Sequence, residues 1–176
     1  IAKVAEGQRQ TGLRFDFYSV DFWVDYEGTL KECSPTRFPN GFEKIKPELE
    51  TLGTRLGLWI DSSGEAWSIG GNPDVQRCLN IDLDRPESQK LVPWGRKCFC
   101  RATEPVRSMY LDAFRFHVRE NGVRLLKFDN LATTCLNPRH DHLPGIYSSE
   151  PIMDAVIEFL HALDDECPDL FLMLYW

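Results

Sequence analysis

No stretch of this sequence is apolar for long enough to cross a membrane as a helix, which takes about 20 consecutive residues. Internal repeats and low-complexity segments are missing, which excludes solenoids and unfolded linkers. No glycine-rich phosphate loop follows any strand-like run, so nucleotide binding lacks its usual cradle. Basic clusters are missing too. The 20 Lys and Arg are scattered and outnumbered by 27 Asp and Glu, for a net charge of −7. That balance argues against a nucleic-acid or anionic-membrane partner. Six cysteines (Cys33, Cys78, Cys98, Cys100, Cys135 and Cys167) are too sparse in 176 residues for a disulfide framework. Cys98-Phe-Cys100 lacks the two-residue spacing of common zinc and redox sites. The cysteines read as reduced, structural thiols.

What is present is a recurring ending. The runs 14–21 (RFDFYSVD), 55–61 (RLGLWID) and 123–129 (VRLLKFD) are each short, apolar and closed by an aspartate. An apolar run with polar bounds reads as a strand buried on both faces. Aspartate at the carboxyl end of such a strand does little for stability. In an α/β barrel that position is where catalytic residues sit. Three acids brought to one rim by three strands predict a carboxylate-rich active site.

Around these runs the chain alternates. Residues 1–13 are polar and read as the tail of an earlier element. Strand-like runs at about 14–21, 55–61, 123–129 and 170–176 are separated by helical patterns at about 41–53, 104–120 and 150–165. In the first helix Phe42, Ile45, Leu49 and Leu52 share a face, Asn40 and Glu43 resemble a capping box, and Pro47 predicts a kink or a later start. The second carries Val106, Met109, Tyr110, Ala113 and Val118 on one side and stops at Asn121-Gly122. The third carries Ile152, Met153, Val156, Phe159, Leu160 and Leu163. The long loop of about 62–102 holds Trp67, the Gly70-Gly71 pair and Trp94. The order β-α-β-α-β-α-β demands parallel strands, and the fold class is α/β. Four βα units are half of a (β/α)₈ TIM barrel; an open doubly wound sheet is the rival. The chain opens on Ile1 and closes inside an apolar run at 171–176, so the expectation is a single incomplete barrel domain, residues 1–176, truncated at both ends. Its unclosed sheet edges should then favour aggregation or dimerisation.

Asp129 ends the third run with Lys127 two residues earlier, on the same face of a strand. An ionised, fixed carboxylate beside an ammonium is what attack on a sugar anomeric carbon requires; a structural Lys–Asp pair is the plainer alternative. Asp21, followed by Phe22 and Trp23, offers a carboxylate for neighbouring hydroxyls beside an aromatic wall. Trp59 and Asp61 close the second run. His140, Asp141 and His142 could ligate a metal. Adjacent side chains of an extended segment point apart, so a polar loop is the preferred reading there and no metal or cofactor is expected.

The same residues resemble a known family. Val20-Asp21-Phe22-Trp23 sits where glycoside hydrolase family 36, the clan D α-galactosidase and raffinose-synthase-like group, has an Asp-Asp-Gly-Trp motif. Phe38-Pro39-Asn40-Gly41-Phe42 resembles its FPNG-type helix start, and Leu52-Gly53 with Gly57-Leu58-Trp59 its third strand. Lys127-Phe128-Asp129-Asn130 resembles its Lys-Trp-Asp nucleophile motif. The likeness covers about residues 14–176. It implies that the four strands are barrel strands two to five of a retaining glycosidase acting on terminal α-galactosides or related α-glycosides. It implies Asp129 as nucleophile, with Asp21 and Lys127 at hydroxyls of the terminal sugar and Trp59 in the pocket wall; Trp23 and Asp61 are placed at the substrate with them by their positions at the strand ends. The acid/base aspartate, on strand six of the family, has no counterpart here, so the chain by itself is expected to be inactive. Val20, Phe22 and Phe128 depart from the motifs, and Asp61-Ser62-Ser63 stands where the family has acidic residues after strand three, which leaves the sugar, and transglycosylation, open. The implied partner is a carbohydrate, with homo-oligomers possible in the full-length protein. The rivals are a non-catalytic carbohydrate-binding relative and a metal-dependent barrel hydrolase built on His140, Asp141 and His142.

Overall fold

The computed structural model describes residues 1–25, 29–61, 73–91 and 97–175. Its centre is a four-stranded sheet: β1 (Phe17–Val20), β2 (Arg55–Asp61), β3 (Leu125–Asp129) and β4 (Phe171–Leu174). The strands lie side by side in chain order and all pairs are parallel. Helix α1 (Ala2–Thr11) precedes β1, and α2 (Ile45–Thr51) links β1 to β2. The long link from β2 to β3 contains α3 (Pro73–Gln76) and α4 (Glu104–Glu120); α5 (Ser149–Glu166) links β3 to β4. This is the predicted order, and it makes an α/β sheet in the form of part of a (β/α)₈ barrel.

The two faces of the sheet differ. Leu58 and Ile60 of β2 and Leu126 and Phe128 of β3 alternate onto one face and are buried. The helices cover that face. Phe114 of α4 meets the Phe128 ring edge-on at 5.2 Å, and Phe159 of α5 meets it at 5.6 Å. The opposite face carries Gly57, Trp59, Asp61, Leu125, Lys127 and Asp129, and its polar members are only half-buried. Gly57 is required there: a Cβ would come within 2.8 Å of the Leu125 side chain.

Three local departures have physical causes. Residues 2–11 form a helix, but none of them is buried, so no apolar stripe announced it. α2 starts at Ile45 rather than near 41, with Pro47 inside its first turn, where the missing N–H has no helical acceptor to lose. Its N-cap is Lys44, and the Asn40–Glu43 box does not form. In α4 the buried face is wider than the predicted one, adding Phe114 and His117. His117 is sealed. Asn121 Nδ2 donates to its Nδ1 at 2.9 Å, and its Nε2 faces the Leu30 carbonyl at 2.8 Å. Burial pushes its pKa down to about 4, against the hydrogen bond to Leu30. Trp67, the Gly70-Gly71 pair and Trp94 lie outside the described residues. No helix among the described residues is long and apolar enough to cross a membrane.

Candidate active site

All four strands run the same way, so their carboxyl ends form one edge. The register pairs Trp59 with Lys127 and Asp61 with Asp129. These four side chains therefore share the face left open by the helices, as alternation requires. Asp21 is one residue past β1 at the same edge, and is exposed. The three aspartates predicted to meet at one rim are all there.

Asp129 is held on both oxygens. Trp59 Nε1 donates to its Oδ2 at 3.1 Å, and the Asn130 amide donates to its Oδ1 at 2.9 Å. Asn130 adopts φ 54, a left-handed turn that asparagine tolerates better than most residues. These bonds hold the carboxylate in one rotamer at the strand end. Lys127 stands on the same face, its ammonium 5.5 Å from the centre of the Tyr175 ring. Asp61 reaches inward electrostatically. Burial works against the charge on Arg101, while Tyr110, Cys98 and Asp61 favour it.

Trp23 corrects an expectation. It was assigned to the substrate wall, but it is fully buried, with its ring 4.6 Å from His117 and 5.8 Å from Phe42. Its indole donates to the Trp59 carbonyl at 2.7 Å. Trp23 thus anchors the backbone of the residue whose own indole holds Asp129. The aromatic surface at the rim belongs instead to Phe22, which is 51% exposed and stacks at 5.0 Å on Trp59. Phe22 has φ 50, a conformation that favours glycine, and it occupies the place of the motif's glycine. That substitution was the signal that could have identified it. Arg37 secures it, donating to the Phe22 carbonyl at 3.1 Å with its guanidinium 5.4 Å from the ring centre.

His140 and His142 do come together, but with Cys100 and Cys135 and without Asp141. All six cysteines are free, and five are buried. The hydrogen bond with Cys135 pulls the Cys100 thiol below its ordinary range, and Cys135 is pushed up in return.

No protein-family profile and no curated protein sequence matches the chain. Solved structures do. A variant of the GH36 α-galactosidase AgaA from Geobacillus stearothermophilus, in complex with stachyose, superposes with a TM-score of 0.68 at 16% identity, over 99% of this chain and 25% of its own. The GH36 α-galactosidase AgaB from the same organism gives 0.67 at 15%, over 98% and 24%. A GH31 α-xylosidase from a soil metagenome, complexed with xylose, gives 0.58 at 12%, over 99% and 27%. The chain spans about a quarter of the length of these relatives, and along nearly all of its own length it has the fold of a GH36 α-galactosidase segment.

Proposed function

We propose that this chain is part of the catalytic barrel of a retaining glycoside hydrolase acting on terminal α-galactosides or related α-glycosides. The observation that carries the reading is Asp129. It ends a parallel strand on the open face of the sheet, and Trp59 and Asn130 clamp its carboxylate there. Position on a strand end, a fixed rotamer and neighbouring hydroxyl-binding groups are what an anomeric nucleophile needs.

In this reading an Asp129 oxygen attacks the anomeric carbon as the bond to the leaving oxygen breaks. A carboxylic acid on another strand of the complete barrel protonates that oxygen. Water, deprotonated by the same group, then releases the sugar and restores Asp129. Lys127 and Asp21 bind sugar hydroxyls, and Asp61 shapes the charge of the rim. Phe22 and Trp59 supply the apolar wall. Phe22 fills the place where the family motif has glycine, and so limits which α-glycosides the rim admits. The likeness to an α-xylosidase supports the broader α-glycoside class.

The test is Asp129→Ala in the full-length protein, assayed on aryl α-galactosides and α-xylosides. Loss of about 10⁴-fold or more in kcat, with unchanged folding, is expected for a nucleophile. Added azide should restore turnover by taking the place of the carboxylate. Activity that persists in the variant overturns the assignment. Sugar binding with no turnover in the wild type supports the binding-protein rival instead.

A further inference from the structure

We propose that Cys100, Cys135, His140 and His142 form a structural zinc site that staples the loop following Asp129 to the segment before α4. Their ligand atoms all lie within 4.8 Å of one another. Cys100 Sγ is 3.1 Å from His142 Nε2, and Cys135 Sγ is 3.2 Å from His140 Nδ1. Two sulfurs and two nitrogens around a tetrahedral zinc stand about 3.3–3.8 Å apart, given bond lengths of about 2.3 and 2.0 Å. Two of the pairs are already at that spacing or closer, and the widest separation needs to contract by about 1 Å.

The histidines are oriented for it. His140 Nε2 faces the Arg77 carbonyl at 3.3 Å, and His142 Nδ1 faces the Leu143 carbonyl at 3.0 Å. A carbonyl only accepts, so in the neutral imidazole each of these nitrogens carries the proton. The lone pairs are left on His140 Nδ1 and His142 Nε2, the two atoms beside the sulfurs. Fixing a ligand histidine through its far nitrogen is a general feature of metal sites.

The surrounding backbone is arranged to hold the four groups without a regular sheet. The Cys100 amide donates to the Cys78 carbonyl at 2.7 Å, and the Leu136 amide to the Asn80 carbonyl at 2.7 Å. Segment 78–80 thus sits between the two cysteine segments. Ser148 Oγ accepts from the Cys135 amide at 2.9 Å. Cys100, Cys135 and Ile152 form a buried cluster of their own, with Ala102 packed against it among the described residues.

Charge also fits. As the metal binds, two thiol protons go to solvent, two metal–sulfur and two metal–nitrogen bonds form, and the complex with neutral imidazoles has no net charge. A neutral centre can sit beside Ile152 and Ala102 without the cost of a buried ion. Sulfur and imidazole in tetrahedral array select zinc among common divalent ions. Four protein ligands close the shell, so the metal holds the loop and takes no part in bond cleavage.

The experiment is metal analysis of the full-length protein, purified reduced and without chelators, with cobalt titration of the stripped wild type. About one zinc per chain is expected for a closed four-ligand site, together with the visible absorption of tetrahedral, thiolate-bound cobalt. His142→Gln and Cys135→Ser should lose the zinc, and Cys33→Ser should keep it. Should those two variants fail to fold, the cobalt spectrum of the wild type decides. Reduced wild type that takes up neither metal, or zinc retained in folded His142→Gln, overturns the proposal. So does a Cys100–Cys135 disulfide as the stable form of the metal-free purified protein. None of these readouts involves turnover, so they stand or fall apart from the glycosidase reading.

Discussion

The rim of the sheet and the cysteine–histidine cluster are both polar groups on the loop side of the fold, but they are built in opposite ways. At the rim, strands do the placing. Trp59, Asp61, Lys127 and Asp129 come from two neighbouring strands in register, and their common face follows from alternation. In the cluster, loops do the placing. Cys100 lies 35 residues before Cys135 in sequence, and a few main-chain hydrogen bonds bring them together. A strand-built site is rigid without help, and a loop-built one needs a cross-link.

Substitutions can sharpen that contrast. The largest expected effect is at Trp23→Ala, which empties a fully buried site and removes the bond to the Trp59 carbonyl. A loss of about 3–5 kcal/mol is predicted from comparable truncations, measured by denaturant unfolding. A loss under half that would mean the rim does not lean on this residue.

Next is pH. The folded pKa of His117, about 4, lies below the ordinary 6.5, because burial disfavours the charged ring. The unfolded chain therefore binds the proton first. The stabilisation is complete above pH 6.5 and is lost as pH falls from 6.5 towards 4, by about 3 kcal/mol in total. Unfolding measured across that range should show the slope in the wild type and a flatter profile in His117→Gln. Equal slopes would place the titration elsewhere.

Smaller is Trp59→Phe, which keeps a ring against Phe22 but deletes the donor to Asp129. A bond to a charged acceptor is worth about 1.5–3 kcal/mol, so kcat/KM should fall roughly 10- to 100-fold. An effect on KM alone would make Trp59 a wall and not a clamp. Smallest is Phe22→Gly. Relief of a left-handed φ offsets the lost ring contact, and stability should move by less than about 1 kcal/mol. The readout is sugar preference, expected to shift towards α-galactosides. An unchanged preference would remove Phe22 from the specificity argument.

Where periodicity governs, the sequence was informative. β2 and α4 fall at the expected 55–61 and 104–120. Asp129 could be placed because a strand fixes which face its last residue takes. Trp23 was placed at the substrate and Phe22 was not, since a left-handed φ at Phe22 turns the chain and sends the next side chain into the core. α1 was silent because it buries nothing. The cluster was illegible for a different reason. Its ligands are spaced Cys-x34-Cys-x4-His-x-His, with no short pair of cysteines, and only the fold shows which thiols the histidines meet.

The most direct test of the central claim is to trap the sugar on the protein. The full-length wild type would be treated with a mechanism-based fluoro-glycoside of the α-galacto series and digested, and the labelled peptide would be sequenced by mass spectrometry. The account predicts one glycosyl ester, on Asp129, in the peptide containing Lys127-Phe128-Asp129-Asn130. A label on any other carboxylate, or an active enzyme that turns over the reagent with inversion and no label, would contradict it.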